Sequence, residues 1–173
     1  MSTIHTTSGG ERVLIADDEV LIRTNLQEML EAAGYQVVCS CGDGFAAIEG
    51  CQKHQPDIVL LDIKMPMLDG MAAARFILEH DLAPVVILIT AYSDLQLVEK
   101  AKDFGIAGYL VKPVSETILI PTLKVAAARS EELKALREQV ARSRQALEDR
   151  KLIEKAKGIL MPVSYTHLRA HET

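Results

Sequence analysis

Short apolar runs alternate with amphipathic stretches along the first two thirds of the chain. Residues 12–16 read RVLIA and end against Asp17-Asp18-Glu19. Ile22, Leu26, Met29, Leu30 and Ala33 follow at i, i+4, i+7, i+8 and i+11, which is one face of a helix. Gly34 stands where a left-handed C-terminal cap belongs. Residues 35–39 are strand-like, Gly42-Asp43-Gly44 marks a turn, and 45–53 reads as a helix. Pro56-Asp57 then precede IVLL at 58–61, a run suited to a strand buried on both faces. The pattern repeats with a loop at 62–68, a helix ending near His80, and a strand at 85–89 after Pro84. A helix is expected over 94–104 with Gly105 as its stop, then a strand over 107–111. Ser115 can cap a last helix, which Pro121 either kinks or delays.

Five strand–helix alternations of this kind predict an α/β fold, with a parallel sheet covered on both faces. Right-handed crossovers make it an open, doubly wound sheet, with its site beyond the carboxyl ends of the strands. The residues that follow the strands are therefore the candidates: Asp17, Asp18, Asp62, Thr90 and Lys112.

The periodicity changes after residue 121. Residues 122–157 contain no glycine and are rich in Ala, Glu, Lys, Arg, Leu and Gln. Leu133, Leu136, Val140 and Leu147 fall on a and d positions of a heptad, while Ser143 and Arg150 occupy the intervening d positions. This predicts a long helix with a short, fading coiled-coil seam. From residue 162 onward no period is visible, and Pro162 is expected to end the helix.

Composition narrows the class. Of 173 residues, 49% are hydrophobic and 25% charged, which is ordinary for a folded domain. No apolar run approaches the ~20 residues of a membrane span, and the first ten residues are polar, so a cytoplasmic protein without membrane contact is expected. Cys39, Cys41 and Cys51 cannot all pair with one another and suit free thiols in a reducing compartment. The net charge of −5 conceals an asymmetry: residues 11–121 carry 17 acidic and 8 basic side chains, and 122–157 carry 6 and 10. An acidic body and a basic arm suggest two tasks.

The chemistry lies in the acidic strand ends. Unit charges ~4 Å apart repel by about 4 kcal/mol at an effective dielectric of ~20, so Asp17, Asp18 and Asp62 need compensation. A divalent cation and Lys112 are the natural compensators, and carboxylate oxygens with little else suit Mg²⁺. A carboxylate beside such a cation, a lysine and a threonine hydroxyl is equipped to receive a phosphoryl group. Gly42-Asp43-Gly44 is only a turn, since no Lys-Ser/Thr follows it.

Taken together, Asp17-Asp18, Asp62 in LLDIKMPMLDG, Thr90 in ILITAYS and Lys112-Pro113 in GYLVKP resemble the receiver domain of response regulators over residues 12–127. The resemblance implies a flavodoxin-like sheet of order 2-1-3-4-5. It implies Asp62 as phosphoacceptor, Asp17, Asp18 and Asp62 with the Lys64 backbone carbonyl as Mg²⁺ ligands, and Lys112 as the lysine that pairs with the phosphoryl oxygens. Thr90 matches the switch hydroxyl and Tyr109 the aromatic that turns inward, and the Lys112-Pro113 bond is expected to be cis. A sensor histidine kinase as phosphodonor and a homodimer as output are the implied partners.

Further on, LEDRKLIEKAKGILM at 147–161 resembles the opening of an ANTAR module, a small RNA-binding domain, through Arg150, Ile153, Ala156-Lys157-Gly158 and Leu160-Met161. The whole is similar to actinobacterial-type, phosphorylation-dependent antitermination regulators. The expected organisation is a flexible N-terminus at 1–11, a receiver at 12–127, a helical coiled-coil linker at 128–146, a truncated ANTAR start at 147–161, and an unstructured read-through tail at 162–173. The family's second and third ANTAR helices do not follow, so binding of RNA hairpins is expected of a full-length parent; which residues would touch RNA is unknown. Two other classes compete. A phosphorylation-gated adaptor would dispense with RNA. An aspartate-nucleophile phosphatase of the haloacid-dehalogenase type needs a second acid two residues after the nucleophile, where Lys64 stands, so no enzyme is expected. DNA binding is not expected either, for want of a helix-turn-helix after the receiver.

Overall fold

The structure, a computed structural model, describes the backbone of residues 10–171 and side-chain surroundings through residue 158. Its elements are β1 Arg12–Ala16, α1 Val20–Ala32, β2 Gln36–Cys41, α2 Gly44–His54, β3 Ile58–Asp62, α3 Gly70–Glu79, β4 Val85–Thr90, α4 Leu95–Ala101, β5 Gly108–Val111 and α5 Glu116–His171. All strand pairs are parallel and the order is β2-β1-β3-β4-β5, the doubly wound arrangement expected.

Side chains alternate between two cores, as the period of two requires. Leu14, Val59, Leu61, Val86 and Leu88 face α2, α3 and α4, meeting Ala47, Cys51, Ala73, Ala74, Ile77, Val98 and Ala101. Val13, Ile15, Ile58, Leu60, Ile87 and Ile89 face the other way, onto Leu26 and Leu30 of α1 and Leu119, Leu123 and Ala126 of α5. Every residue of β3 and β4 is buried, which explains their unbroken apolar runs. Gly34 and Gly105 end their helices in the left-handed region, with φ of 91° and 94°. Asp43 and Asp69 cap α2 and α3, each accepting from a backbone N–H at 2.8 Å.

Three local expectations need correction. The strand at 35–39 is Gln36–Cys41, and its register against β1 slips between Val13 and Leu14, which pair with Val37 and Cys39. The extra residue interrupts the strand's alternation between faces. The helix expected over 94–104 is only Leu95–Ala101, flanked by single 3₁₀ turns at Tyr92–Asp94 and Lys102–Phe104. Helix ends commonly tighten this way.

The third correction concerns the C-terminus. The helix does not stop at Pro162, and the tail expected to be unstructured is helical backbone through His171. A proline removes one hydrogen bond and crowds the carbonyl four residues back. Here that residue is Gly158. The N-terminal expectation falls mainly on residues outside those described.

The chain divides into two compact units after Ser130. The first holds the sheet and its helices. The second, from Glu131, is helical and presents Leu133, Leu136, Val140 and Leu147 as an exposed apolar row. No helix among the described residues is long and apolar enough to cross a membrane.

Candidate functional site

Each candidate side chain is delivered by the end of a strand. Asp17 follows β1, Asp62 closes β3, Thr90 closes β4 and Lys112 follows β5. Because the strands are parallel and in register, these ends lie along one edge of the sheet. The Lys112 N–H donates to the Thr90 carbonyl at 2.8 Å and the Ile63 N–H to the Ile89 carbonyl at 3.0 Å, fastening neighbouring ends together.

Asp17, Asp18 and Asp62 bring carboxylate oxygens within 4.8 Å of one another. Asp17 and Asp62 are buried and Asp18 is exposed. Lys112 reaches between the buried pair, with Nζ 3.0 Å from Asp17 Oδ2 and 3.1 Å from Asp62 Oδ2. Burial pushes the Asp62 carboxyl up from its ordinary range and the Asp17 charge adds to that, with Lys112 opposing. For Lys112 burial is the largest single influence and pulls downward, but hydrogen bonds and charge from Asp17 and Asp62 together outweigh it and hold the ammonium above its ordinary value. Lys112 is therefore charged and shared between two carboxylates. The Lys112-Pro113 bond is cis, as expected.

The acidic loop is itself braced. Glu19 N–H donates to Asp17 Oδ1 at 2.9 Å, and the Arg23 guanidinium donates to the Asp17 carbonyl at 2.6 Å. Asp17 Oδ2 is buried and, although paired in charge with Lys112, has no hydrogen bond of good geometry. An all-oxygen acidic cluster of this kind fits a hard divalent cation of the Mg²⁺ type. Asp62 Oδ1 accepts from the Lys64 N–H at 3.3 Å. The Lys64 ammonium turns away from the cluster to Asp94, at 3.1 Å.

Thr90 is buried, and its hydroxyl donates to the Ala91 carbonyl at 3.0 Å. Tyr109 lies on β5 and is 45% exposed. Of the two predicted switch residues, Thr90 thus has its hydroxyl committed to Ala91 and Tyr109 is partly exposed.

Sequence reasoning missed two positions that shape the site. A side chain at Gly70 would collide with the Asp62 carbonyl, so the start of α3 packs directly on the end of β3. Gly70 N–H donates to the Ile63 carbonyl at 2.8 Å across the same contact. Its signal was the Asp69-Gly70 pair before an apolar helix, read only as part of a motif. Arg23 is the other. A basic residue early in a helix carries no pattern of its own.

Comparison with known proteins follows this geometry. The family model described as "Response regulator receiver domain" matches residues 13–124. The transcriptional regulatory protein PdtaR of Mycobacterium tuberculosis (strain ATCC 25618 / H37Rv) is 50% identical over 149 residues, covering 86% of this chain and 72% of that protein. An alignment of 149 residues cannot fit before residue 124, so the similarity continues into α5. The solved receiver domain of the response regulator NarL from Mycobacterium tuberculosis superposes with a TM-score of 0.65 at 31% identity, covering 69% of this chain and 98% of that one. The CheX-CheY-BeF3-Mg complex from Borrelia burgdorferi gives a TM-score of 0.64 at 32% identity, covering 68% of this chain and 89% of that one.

Proposed function

The chain belongs to the response regulator receiver family, and from that premise we propose that it is a two-component regulator phosphorylated on Asp62 by a sensor histidine kinase. The observation that carries this reading is Lys112, held between Asp17 and Asp62 at the open edge of the sheet. An Asp62 oxygen attacks the phosphorus of a phosphohistidine. A P–O bond forms, the P–N bond breaks, and the imidazole leaves with the electron pair. Lys112 is near enough to follow the new negative charge, and Thr90 can offer its hydroxyl hydrogen to a phosphoryl oxygen. Asp17, Asp18, Asp62 and the Lys64 carbonyl would hold Mg²⁺, which neutralises phosphoryl oxygens when bound. The Borrelia CheX-CheY complex, which contains BeF3 and Mg, supports this reading.

Movement of Thr90 and then of Tyr109 would repack the face made by α4, β5 and the start of α5. A full switch from 1% to 99% requires a preference of about 5.5 kcal/mol for the active state. The output we propose is a homodimer, formed through that face or through the helical segment 128–146. In a full-length relative it would present RNA-binding modules beginning at 147–161 and so control transcription antitermination. The similarity to PdtaR, a transcriptional regulatory protein, favours a transcriptional output. The basic balance of residues 122–157 is compatible with RNA. A phosphorylation-gated adaptor is the second reading, favoured by the exposed apolar row of α5. On either reading the protein works in the cytoplasm, turns over no external substrate and binds no DNA.

The test is the intact mass after incubation with a small acyl phosphate and Mg²⁺. One added phosphoryl group is expected, lost in Asp62→Asn and lost without magnesium. No gain under any condition would leave the acidic cluster a structural feature and overturn both phosphorylation-dependent readings. Retention of a defined RNA hairpin separates antitermination from the adaptor.

A further inference from the structure

The Lys64–Asp94 ion pair joins the loop after β3 to the turn after β4, and four contacts connect it to the candidate switch. Lys64 N–H donates to Asp62 Oδ1 at 3.3 Å. Lys64 Nζ lies 3.1 Å from Asp94 Oδ1. Asp94 N–H donates to the Ala91 carbonyl at 3.0 Å. The Thr90 hydroxyl donates to that same carbonyl at 3.0 Å. The path therefore runs from Asp62 through Lys64, Asp94 and Ala91 to Thr90.

Asp94 is used unusually. It stands at the N-cap of α4, where an aspartate ordinarily accepts from an N–H of the first turn, yet it makes no such bond. Its carboxylate is committed to Lys64 instead. The side chain of Asp94 is 15% exposed and that of Lys64 71%, so the pair is half shielded from water. Thr90 has a single hydrogen to donate, and the Ala91 carbonyl has two lone pairs, both engaged. Thr90 can turn toward Asp62 only by releasing Ala91, and Asp94 holds Ala91 in place.

We propose that Lys64 and Asp94 are positioning residues that brace the Tyr92–Asp94 turn and bias Thr90 toward the arrangement in which its hydroxyl is bound to the Ala91 carbonyl. The brace rests on the reading of Thr90 as the switch hydroxyl. Its strength is that of an ion pair with one exposed partner, so its removal should favour the switched arrangement about two- to fivefold. High salt should have the same effect in the parent protein.

The experiment follows the Thr90 and Ala91 amide signals by NMR in the full chain, with and without Mg²⁺ and beryllofluoride. Subsaturating beryllofluoride gives the switched fraction. Lys64→Met and Asp94→Asn are each expected to raise the switched-to-unswitched ratio two- to fivefold. The double variant should match the singles, and the exchanged pair Lys64→Asp with Asp94→Lys should return toward the parent. Thermal unfolding of each variant separates loss of the brace from loss of the fold. Parent-like ratios in both folded singles, or fully additive effects in the double, would overturn the brace while leaving the switch intact. A Thr90 signal unmoved by saturating beryllofluoride in the parent would overturn the switch reading and the brace with it.

Discussion

Lys112 decides what the acidic cluster is worth to the folded state. With it, two buried carboxylates share one ammonium; without it, they repel across a site with little water. Lys112→Met is therefore expected to lower unfolding free energy by about 2 kcal/mol, below the value for a fully buried pair because the lysine is partly exposed. Asp62→Asn should instead raise stability by about 1 kcal/mol, since it removes one of the repelling charges. Urea denaturation at neutral pH measures both. At this scale most of the site was legible in the sequence. Asp17, Asp62, Thr90 and Lys112 are polar residues set at the ends of apolar runs, and the doubly wound fold gathers strand ends. The contact of Gly70 with the Asp62 carbonyl and the pairing of Lys64 with Asp94 were not legible. Both join the ends of different elements, and no period in the chain encodes which ends meet.

Among the elements, the edge strand β2 and its covering helix α2 hold all three thiols. Cys39 and Cys41 are half-buried and Cys51 is buried. Burial is the main reason that Cys41 and Cys51 are each pushed up to about 12, and neighbouring thiols add to it. Below pH ~9 these groups are protonated in both states and contribute no pH dependence. Between about 9 and 12 the unfolded chain releases protons that the folded chain retains, so stability falls as pH rises. The urea midpoint should drop over that range, and less steeply in a Cys41→Ala, Cys51→Ala protein. The same thiols should alkylate slowly at pH 8, since little thiolate is present. In α5, the row Leu133, Leu136, Val140 and Leu147 is exposed at roughly half of each side chain. A parallel dimer would set Glu132 of one copy against Arg137 of the other, whereas an antiparallel one would bring together the row of Arg137, Arg144 and Lys151. Leu136→Glu with Val140→Glu should abolish any dimer that the helix supports, as read by light scattering, and leave the receiver fold intact. The seam was visible in the sequence as a heptad. The continuation of the helix through Pro162 was not, because proline is ordinarily a stop signal.

For the molecule as a whole, binding at the acidic edge should be coupled to global stability. A cation that binds only the folded chain stabilises it by RT ln(1 + [L]/Kd), about 1.4 kcal/mol at ten times Kd. Magnesium should therefore raise the unfolding midpoint of the parent and leave that of Asp17→Asn nearly unchanged. The fold class and strand order were legible because each strand and helix carries its own period. The division after Ser130 was legible only as a change in charge and glycine content. The pairing of Asp62 with Lys112 spans 50 residues. On a ribosome adding ~5–20 residues per second, the aspartate emerges roughly 3 to 10 s before the lysine that neutralises it. Throughout that interval the nascent chain holds its acids without their counter-charge, and the last strand cannot yet close the sheet. The acidic edge thus acquires its counter-charge only with β5, so the completed cluster marks a chain synthesised at least through Lys112.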